Sequence, residues 1–405
     1  MSRHVFIVGC GFPQLGLIRV ARSLGFEVTG ADLNPQAIGV PLVDHFVRAS
    51  TGDADAISDA FKASGARGIA TSGSELALTI TAAAAHRLGL PFYADPDTVH
   101  RCQAKDAMRA GYGEAGLPVP RFAGCAGFDQ AAQFVAEVGL PVVIKPAHGW
   151  GQRGVSRVDL PHELAPAVHR ACSQSHGGGG CVVEEFLSGH EVSVNGWVED
   201  GELVAYCVTD REVFPGTAPL GVMQSEVYPS VLDAASVERA VDAARRGARA
   251  LGHRRGPCYS QVAVSPERAV LFETAARLGG GFDADVTRLA SGVDLYARLL
   301  GVAFEDDALE RSGRADRAQP ALVRFLRPEP GLLRAIEGLD RARAMDGIVD
   351  AVVYPAIGAE VPGLVDASKR VGHILAIGAT REEAVARADA AQAAIRLIVD
   401  PVARV

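Results

Sequence analysis

Residues 141–155 read PVVIKPAHGWGQRGV. PVVIKP is a short apolar run of the kind that forms a buried strand, and it places Lys145 at the strand's end. A cation is expensive there unless it meets an anion. The loop after it, 148–154, brings His148 together with Gly149, Gly151 and Gly154, and backbone N–H groups in such a loop suit a cover over phosphates. No GKS/T follows, so this is not a Walker loop.

Outward from this stretch, residues 120–190 read strand, helix (FDQAAQFVAEVG), strand, glycine loop, helix and strand (CVVEEF). Upstream, the first hundred residues alternate strand and helix: HVFIVG, GLIRVARSLG, FEVTGAD ending in Asp32, an extended piece at Phe46–Val47, DADAISDAFKASG with Asp53 near its start, GIATSG, and a helix closed by Gly89. Such alternation over short loops predicts a doubly wound parallel sheet. Pro91 and Pro96 break the rhythm. A helix is expected from about Val99 to Gly116, stopped by two prolines. Downstream, EVSVNGWVED-GELVAYCV predicts a hairpin turning at Asp200–Gly201. A helix over 234–251 separates it from the strands CYSQVAV and AVLFETA. Beyond Leu300, strand-like pieces appear at ALVRFL, AVVYPAI and RVGHILAIG, and a final helix starts at Thr380. The glycine run 177–180 reads as a turn.

The composition fits this plan. In 405 residues, 48% are hydrophobic and 22% charged, enough apolar material for large cores and too much for a disordered chain. The net charge of −8 lacks the basic footprint of a general nucleic-acid binder. No apolar stretch reaches the ~18 residues of a membrane span, and the N-terminus enters a strand at once, so a cytoplasmic protein without membrane or nucleic-acid partners is expected. The seven cysteines are scattered with no CxxC pair, which points to reduced thiols and away from zinc or disulfide frameworks.

Three segments carry chemistry. GCGFPQLG, residues 9–16, imitates a dinucleotide fingerprint, with Asp32 where a ribose acid would stand, but Gln14 replaces the third glycine. A tight turn near a small anion and plain packing both remain open. CVVEEFLSGHE carries Glu184, Glu185 and Glu191 at a strand edge, whose backbone suits an adenine rim and whose carboxylates suit ribose hydroxyls. A solvated acidic end is the plainer reading of this segment alone. In SQVAVSPERAVLFETAARLGGG, two antiparallel strands set Gln261 against Glu273, with Arg277 and then Gly279, Gly280 and Gly281 following. An acid for magnesium, an arginine for phosphoryl oxygens and a permissive loop suit phosphoryl transfer; an ordinary Glu–Arg hairpin is the alternative.

The order Lys105, Lys145 with its glycine loop, EEFLSGHE and ETAARLGGG resembles the ATP-grasp superfamily. More narrowly it is similar to the carboxylate–amine ligases that include L-amino acid ligases, with biotin carboxylase and the carbamoyl phosphate synthetase large subunit as distant relatives. The likeness runs from about residue 3 to residue 398 and includes RVGHILAIGATREEAVARADAA.

The resemblance implies three parts: an N-terminal α/β domain (1–97), an ATP-grasp core (98–300) with a lid at about 120–190, and a C-terminal α/β domain (301–405) closing over the core. It implies ATP and Mg2+. Lys105 and Lys145 match the phosphate-binding lysines; Glu184, Glu185, Phe186 and Leu187 match the adenine segment; Glu191 matches the ribose acid; and Arg211 matches the γ-phosphate contact. The metal acids fall at Gln261 and Glu273, a third metal position at Ala275, and the catalytic arginine at Arg277. Gln261 departs from the family by lacking a charge, and Ala275 by lacking a ligand. The activity implied is phosphorylation of a small-molecule carboxylate by ATP and its capture by an amine, with residues 214–230 and 279–283 lining the acceptor pocket, in a protein expected to be a homodimer. An ATP-binding protein with impaired chemistry and a nicotinamide-dependent oxidoreductase are the alternatives.

Overall fold

The computed structural model describes residues 3–149, 153–175, 179–215, 221–327 and 329–401. Gly151, expected in the phosphate cover, and residues 216–220 of the expected acceptor segment lie outside the described residues, as do Gly177 and Gly178.

The N-terminal alternation forms a four-stranded parallel sheet, in the order His45–Arg48, Glu27–Asp32, His4–Val8, Gly68–Ala70. Successive side chains of a strand point to opposite faces. Here Val5 and Ile7 pack with Leu17 and Ile18, while Phe6 and Val8 pack with Ile57 and Phe61. Both faces are therefore covered by helices, which is why HVFIV is apolar throughout. The side chain of Asp53 accepts from two N–H groups at the start of helix Ala54–Ser64, and Gly65 ends that helix at φ 73°. Gly89 does the same for Glu75–Leu88 at φ 65°.

The single helix expected over 99–116 is two helices, Pro96–Arg101 and Lys105–Glu114. The break at residues 102–104 restarts the chain in a new direction, and Lys105 becomes the first residue of the second helix. The following segment forms its own antiparallel sheet, in the order Phe122–Cys125, Cys181–Glu185, Val142–Pro146, Ser156–Val158. Helices Phe128–Val138 and Leu164–Ser173 cover one face of it through Phe134, Leu164 and Val168. The sequence reading omitted the last of those strands, a three-residue piece too short for a periodic signal.

An eight-stranded antiparallel sheet forms the body of the molecule: Ala269–Ala275, Gly256–Val264, His190–Glu199, Glu202–Val213, Met223–Tyr228, Ala321–Phe325, Gly372–Ile377, Ile348–Val353. The hairpin turns at Asp200 (φ 52°) and Gly201 (φ 86°), the left-handed pair that a two-residue connection requires. Three strands from beyond residue 300 belong to this same sheet, so its hydrogen bonding runs across the boundary expected there. After the helix Arg381–Ala394, capped by Thr380, a further strand Arg396–Asp400 pairs with Gly331–Glu337. Among the described residues no helix is long and apolar enough to cross a membrane.

Candidate active site

A cavity of about 500 Å³ opens where the N-terminal turns, the small sheet, the large sheet and the loop around Ser368 meet. It is lined by Lys105, Lys145, His148, Gly149, Glu184, Glu185, Phe186, Leu187, Glu191, Arg211, Gln261, Glu273, Arg277, Gly280 and Gly281. These residues span 177 positions in sequence, and the fold brings them to one space. Gly154 and Gly279 do not line it. A side chain at Gly154 (φ 69°) would crowd Pro146 and Gln174, and one at Gly279 would collide with the Asp283 carboxyl.

Strand Val142–Pro146 runs beside Cys181–Glu185 with Lys145 paired to Val182 and Val143 to Glu184. Lys145 Nζ lies 2.5 Å from Glu184 Oε2, and Arg109 Nε donates to Glu184 Oε1 at 3.0 Å. Glu184 is buried at the cavity wall, so it is not the solvated acidic end that the segment alone suggests. Burial acts against its charge, but Lys145 and Arg109 outweigh it and hold its carboxyl down to about 2. Burial lowers the Lys145 ammonium to about 8, with Glu184 opposing. Lys105, lowered first by burial, donates to the carbonyl of Gly149 at 2.6 Å and so ties its helix to the glycine loop. On the far side of that loop, Arg153 bridges to Asp366 at 3.4 Å.

At the strand's end Phe186 packs under Arg157, whose guanidinium stands 4.0 Å from the ring centroid. Glu185 pairs with Arg121 at 3.2 Å. Glu191 accepts from Arg211 at 3.2 Å and from Gln261 Nε2 at 2.9 Å, so its carboxylate is tied to this neighbouring pair. Arg211 also donates to Gly221 O at 2.7 Å, while its Nε is buried with no hydrogen-bond partner among the described residues.

The antiparallel register sets Gln261 opposite Glu273, as the spacing predicts. With the Gln261 amide nitrogen bonded to Glu191, its carbonyl oxygen is the acceptor left for a cation. Among the described residues no three His, Cys, Asp or Glu side chains gather into a metal site. Glu273 and the Gln261 oxygen fit a magnesium ion whose remaining ligands are nucleotide oxygens and water. Lys105, Lys145 and the orphaned Arg211 nitrogen fit a polyphosphate.

Arg277 Nε donates to Glu75 Oε1 at 2.5 Å and the guanidinium stands 5.5 Å from the Tyr259 ring centroid. Burial works against its charge, but Glu75 and Glu273 outweigh it and keep it cationic. Sequence reasoning missed Glu75, Arg109, Phe12 and Arg370, and it placed Asp283 only at the end of the expected acceptor loop. Arg109 follows Lys105 by four residues on one helix, a same-face signal that was available; the others carry no local pattern.

The N-terminal turn has a structural role. Asp32 accepts the N–H of Cys10 at 2.8 Å and of Asn34 at 2.9 Å, while Gln14 accepts the N–H of Gly11 and donates to Ser72 O. Both Asp32 oxygens thus accept from backbone of the turn and brace it. Phe12 and Pro13 from the same turn line the cavity.

Residues 103–309 match the family model of the carbamoyl-phosphate synthase L chain ATP-binding domain, and residues 324–400 match the L-amino acid ligase C-terminal domain 2. The uncharacterized protein y4rH of Sinorhizobium fredii is 30% identical over 295 residues, 72% of this chain and 60% of that protein. The formate-dependent phosphoribosylglycinamide formyltransferase of Burkholderia pseudomallei is 29% identical over 307 residues, 70% of this chain and 67% of that protein. The chain thus spans less than two thirds of the first relative's length. Among solved structures, the L-amino acid ligase from Bacillus licheniformis superposes with a TM-score of 0.82 over 99% of both chains at 22% identity, a likeness of fold.

Proposed function

This chain belongs to the ATP-grasp carboxylate–amine ligase family, and from that premise we propose that it phosphorylates a small-molecule carboxylate with ATP and joins the acyl group to an amine, releasing ADP and phosphate. The observation that carries the reading is one cavity in which three cations, Lys105, Lys145 and Arg211, face Glu273 and Arg277.

A carboxylate is a poor acyl donor, and phosphorylating its oxygen supplies a leaving group. Lys105 and Lys145 bind the nucleotide phosphates, and Arg211 offsets charge on the transferred phosphoryl group. The strand end at Glu185, Phe186 and Leu187 offers backbone to the base. Magnesium, held by Glu273 and the Gln261 carbonyl, would neutralise phosphate charge during transfer. Arg277, aimed by Glu75, stabilises the acyl phosphate and its tetrahedral adduct. The loop at His148 and Gly149, held by Lys105, excludes water from the acyl phosphate.

A second reading, ATP binding with impaired chemistry, is favoured by one feature: the metal position has a single carboxylate where two would hold the ion more tightly. The test separates them. The twenty L-amino acids are supplied in pairs with ATP and magnesium, and phosphate release is followed, with phosphorus NMR on any active pair. ADP with inorganic phosphate is the expected result. AMP with pyrophosphate overturns the proposed chemistry, and tight ATP binding without turnover selects the second reading.

A further inference from the structure

Six carboxyl side chains line the cavity, and five are committed. Glu75 pairs with Arg277, Glu184 with Lys145 and Arg109, Glu185 with Arg121 and Glu191 with Arg211, while Glu273 faces Gln261 at the metal position. Asp283 differs. It is 1% exposed, lines the cavity beside Gly280 and Gly281, and among the described residues forms no ion pair. Its Oδ2 accepts the N–H of Gly281 at 2.9 Å, and the Asn195 side-chain amide stands beside the carboxyl as a neutral hydrogen-bond donor.

The surrounding loop is shaped to hold this carboxyl. A Cβ at Gly279 would lie 2.1 Å from Asp283 Cγ, and one at Gly281 would lie 3.2 Å from its Oδ2 and 2.0 Å from Met223 Cε. Gly279 therefore clears space for the carboxylate and Gly281 chiefly for Met223, reasons for glycine that phosphate contact does not supply. Phe282 enters the helix at φ 63°, a left-handed conformation rare for an aromatic residue, and its ring is stacked on His373 at 3.8 Å. That conformation turns Asp283 under the loop.

Amide formation needs a base. An aliphatic amine is an ammonium ion at neutral pH, with a pKa of ~10, and has no lone pair until a proton leaves. The guanidinium groups of the cavity cannot accept it, a salt-bridged carboxylate is a weak acceptor, and the lining histidines, His100 and His148, are exposed to solvent. Resting on the ligase reading above, we infer that Asp283 is the proton acceptor for the incoming amine. The ammonium proton passes to Asp283, the freed lone pair forms the C–N bond, and the acyl C–O bond breaks with its electrons leaving on phosphate. The second nitrogen proton departs with that phosphate, and Asp283 returns its own proton to solvent as product leaves.

The electrostatic setting supports the role. The charged and titratable groups facing Asp283 are Arg277, Glu226, Tyr259, Cys207, Tyr296 and Arg370. Burial pushes its carboxyl up from the usual range, with the backbone N–H groups of Gly281 and Asp283, Arg277 and the Asn195 amide acting the other way. A base raised toward the working pH is better matched to this proton transfer.

The test uses hydroxylamine, a weak base that is unprotonated at neutral pH, and the twenty L-amino acids as carboxylates. Hydroxamate formation reports the acyl phosphate without requiring a base; amide formation from paired amino acids requires one. Asp283→Asn is expected to lower the ratio of amide to hydroxamate on the order of 10²-fold or more at pH 7, with recovery as pH rises. An unchanged ratio overturns the assignment. Should that variant not fold, Asp283→Glu carries the test: a carboxylate displaced by one methylene should lower amide formation while leaving hydroxamate formation in place, and equal losses in both overturn the assignment. Absence of any hydroxamate in wild type would overturn the acyl-phosphate reading itself, and this role with it.

Discussion

Glu75 and Arg277 stand 202 residues apart in the chain and meet at 2.5 Å. Glu75 opens a helix of the N-terminal sheet domain, and Arg277 follows a strand of the large sheet, so this contact couples two parts of the molecule at the cavity. Its position makes Glu75 a residue that aims Arg277. Glu75→Gln removes the charge and keeps the shape. Loss of a charge-assisted hydrogen bond of about 1.5–3 kcal/mol should reduce kcat ~10–100-fold with little change in KM for ATP. Steady-state kinetics decide it, and a KM effect without a kcat effect would place Glu75 on the nucleotide instead.

The Arg109–Glu184–Lys145 cluster should dominate the stability of the junction between the helix Lys105–Glu114 and the small sheet. Arg109→Met leaves Glu184 with one cation and is expected to cost about 3–5 kcal/mol in urea unfolding. The pH dependence has a definite sign. The Glu184 carboxyl sits at about 2 in the folded protein against an ordinary 4.5, so the unfolded chain binds the proton first. The stability from this group, about 3 kcal/mol, is present above pH ~4.5 and lost as pH falls toward 2. Arg109→Met should shrink that acid dependence, and an unchanged acid limb would count against the assignment.

Lys145, lowered to about 8, should lose its proton in a mildly alkaline range. A cation is needed to hold phosphate, so KM for ATP is expected to rise as pH increases through 8. Lys145→Arg should flatten this rise because a guanidinium remains charged. Lys145→Ala should lower turnover by ~10²–10³ in a folded protein, as expected for loss of one phosphate clamp. Near-normal turnover would remove Lys145 from the site.

Gln261 brings an oxygen but no charge to the proposed magnesium position. Gln261→Glu should therefore lower the free magnesium needed for half-maximal turnover, and Glu273→Gln should nearly abolish activity. Turnover titrated against free magnesium at saturating ATP reads both. An unmoved curve for the first variant with full activity in the second would show that neither residue binds the metal.

Much of the fold was legible because its signals are local. Alternating strands and helices, the cap at Asp53 and the turn at Asp200–Gly201 depend on residues a few positions apart, where periodicity and backbone preference act directly. The facing of Gln261 and Glu273 belongs here too, because a short hairpin fixes its own register. The broken helix at residues 102–104 lay outside this reach, since propensity there favours continuing and tertiary packing overrides it.

The sequence alone determined which chemistry-bearing residues exist and in what order: the lysines, the glycine loop, the strand-end acids, and Glu273 with Arg277. Tertiary structure decided what each of them touches. Glu184 looked like a solvated acidic end, and it is a buried partner of Lys145 and Arg109. The glycines at 279–281 read as a permissive loop of the acceptor pocket, and the one at 279 clears room for Asp283. Strands from beyond residue 300 join the sheet begun at residue 190. The physical reason is common to all three. A charge's partner and a residue's burial depend on which distant segments pack against it, and that choice is made by the summed burial of the whole chain, with no counterpart in the spacing of neighbouring residues.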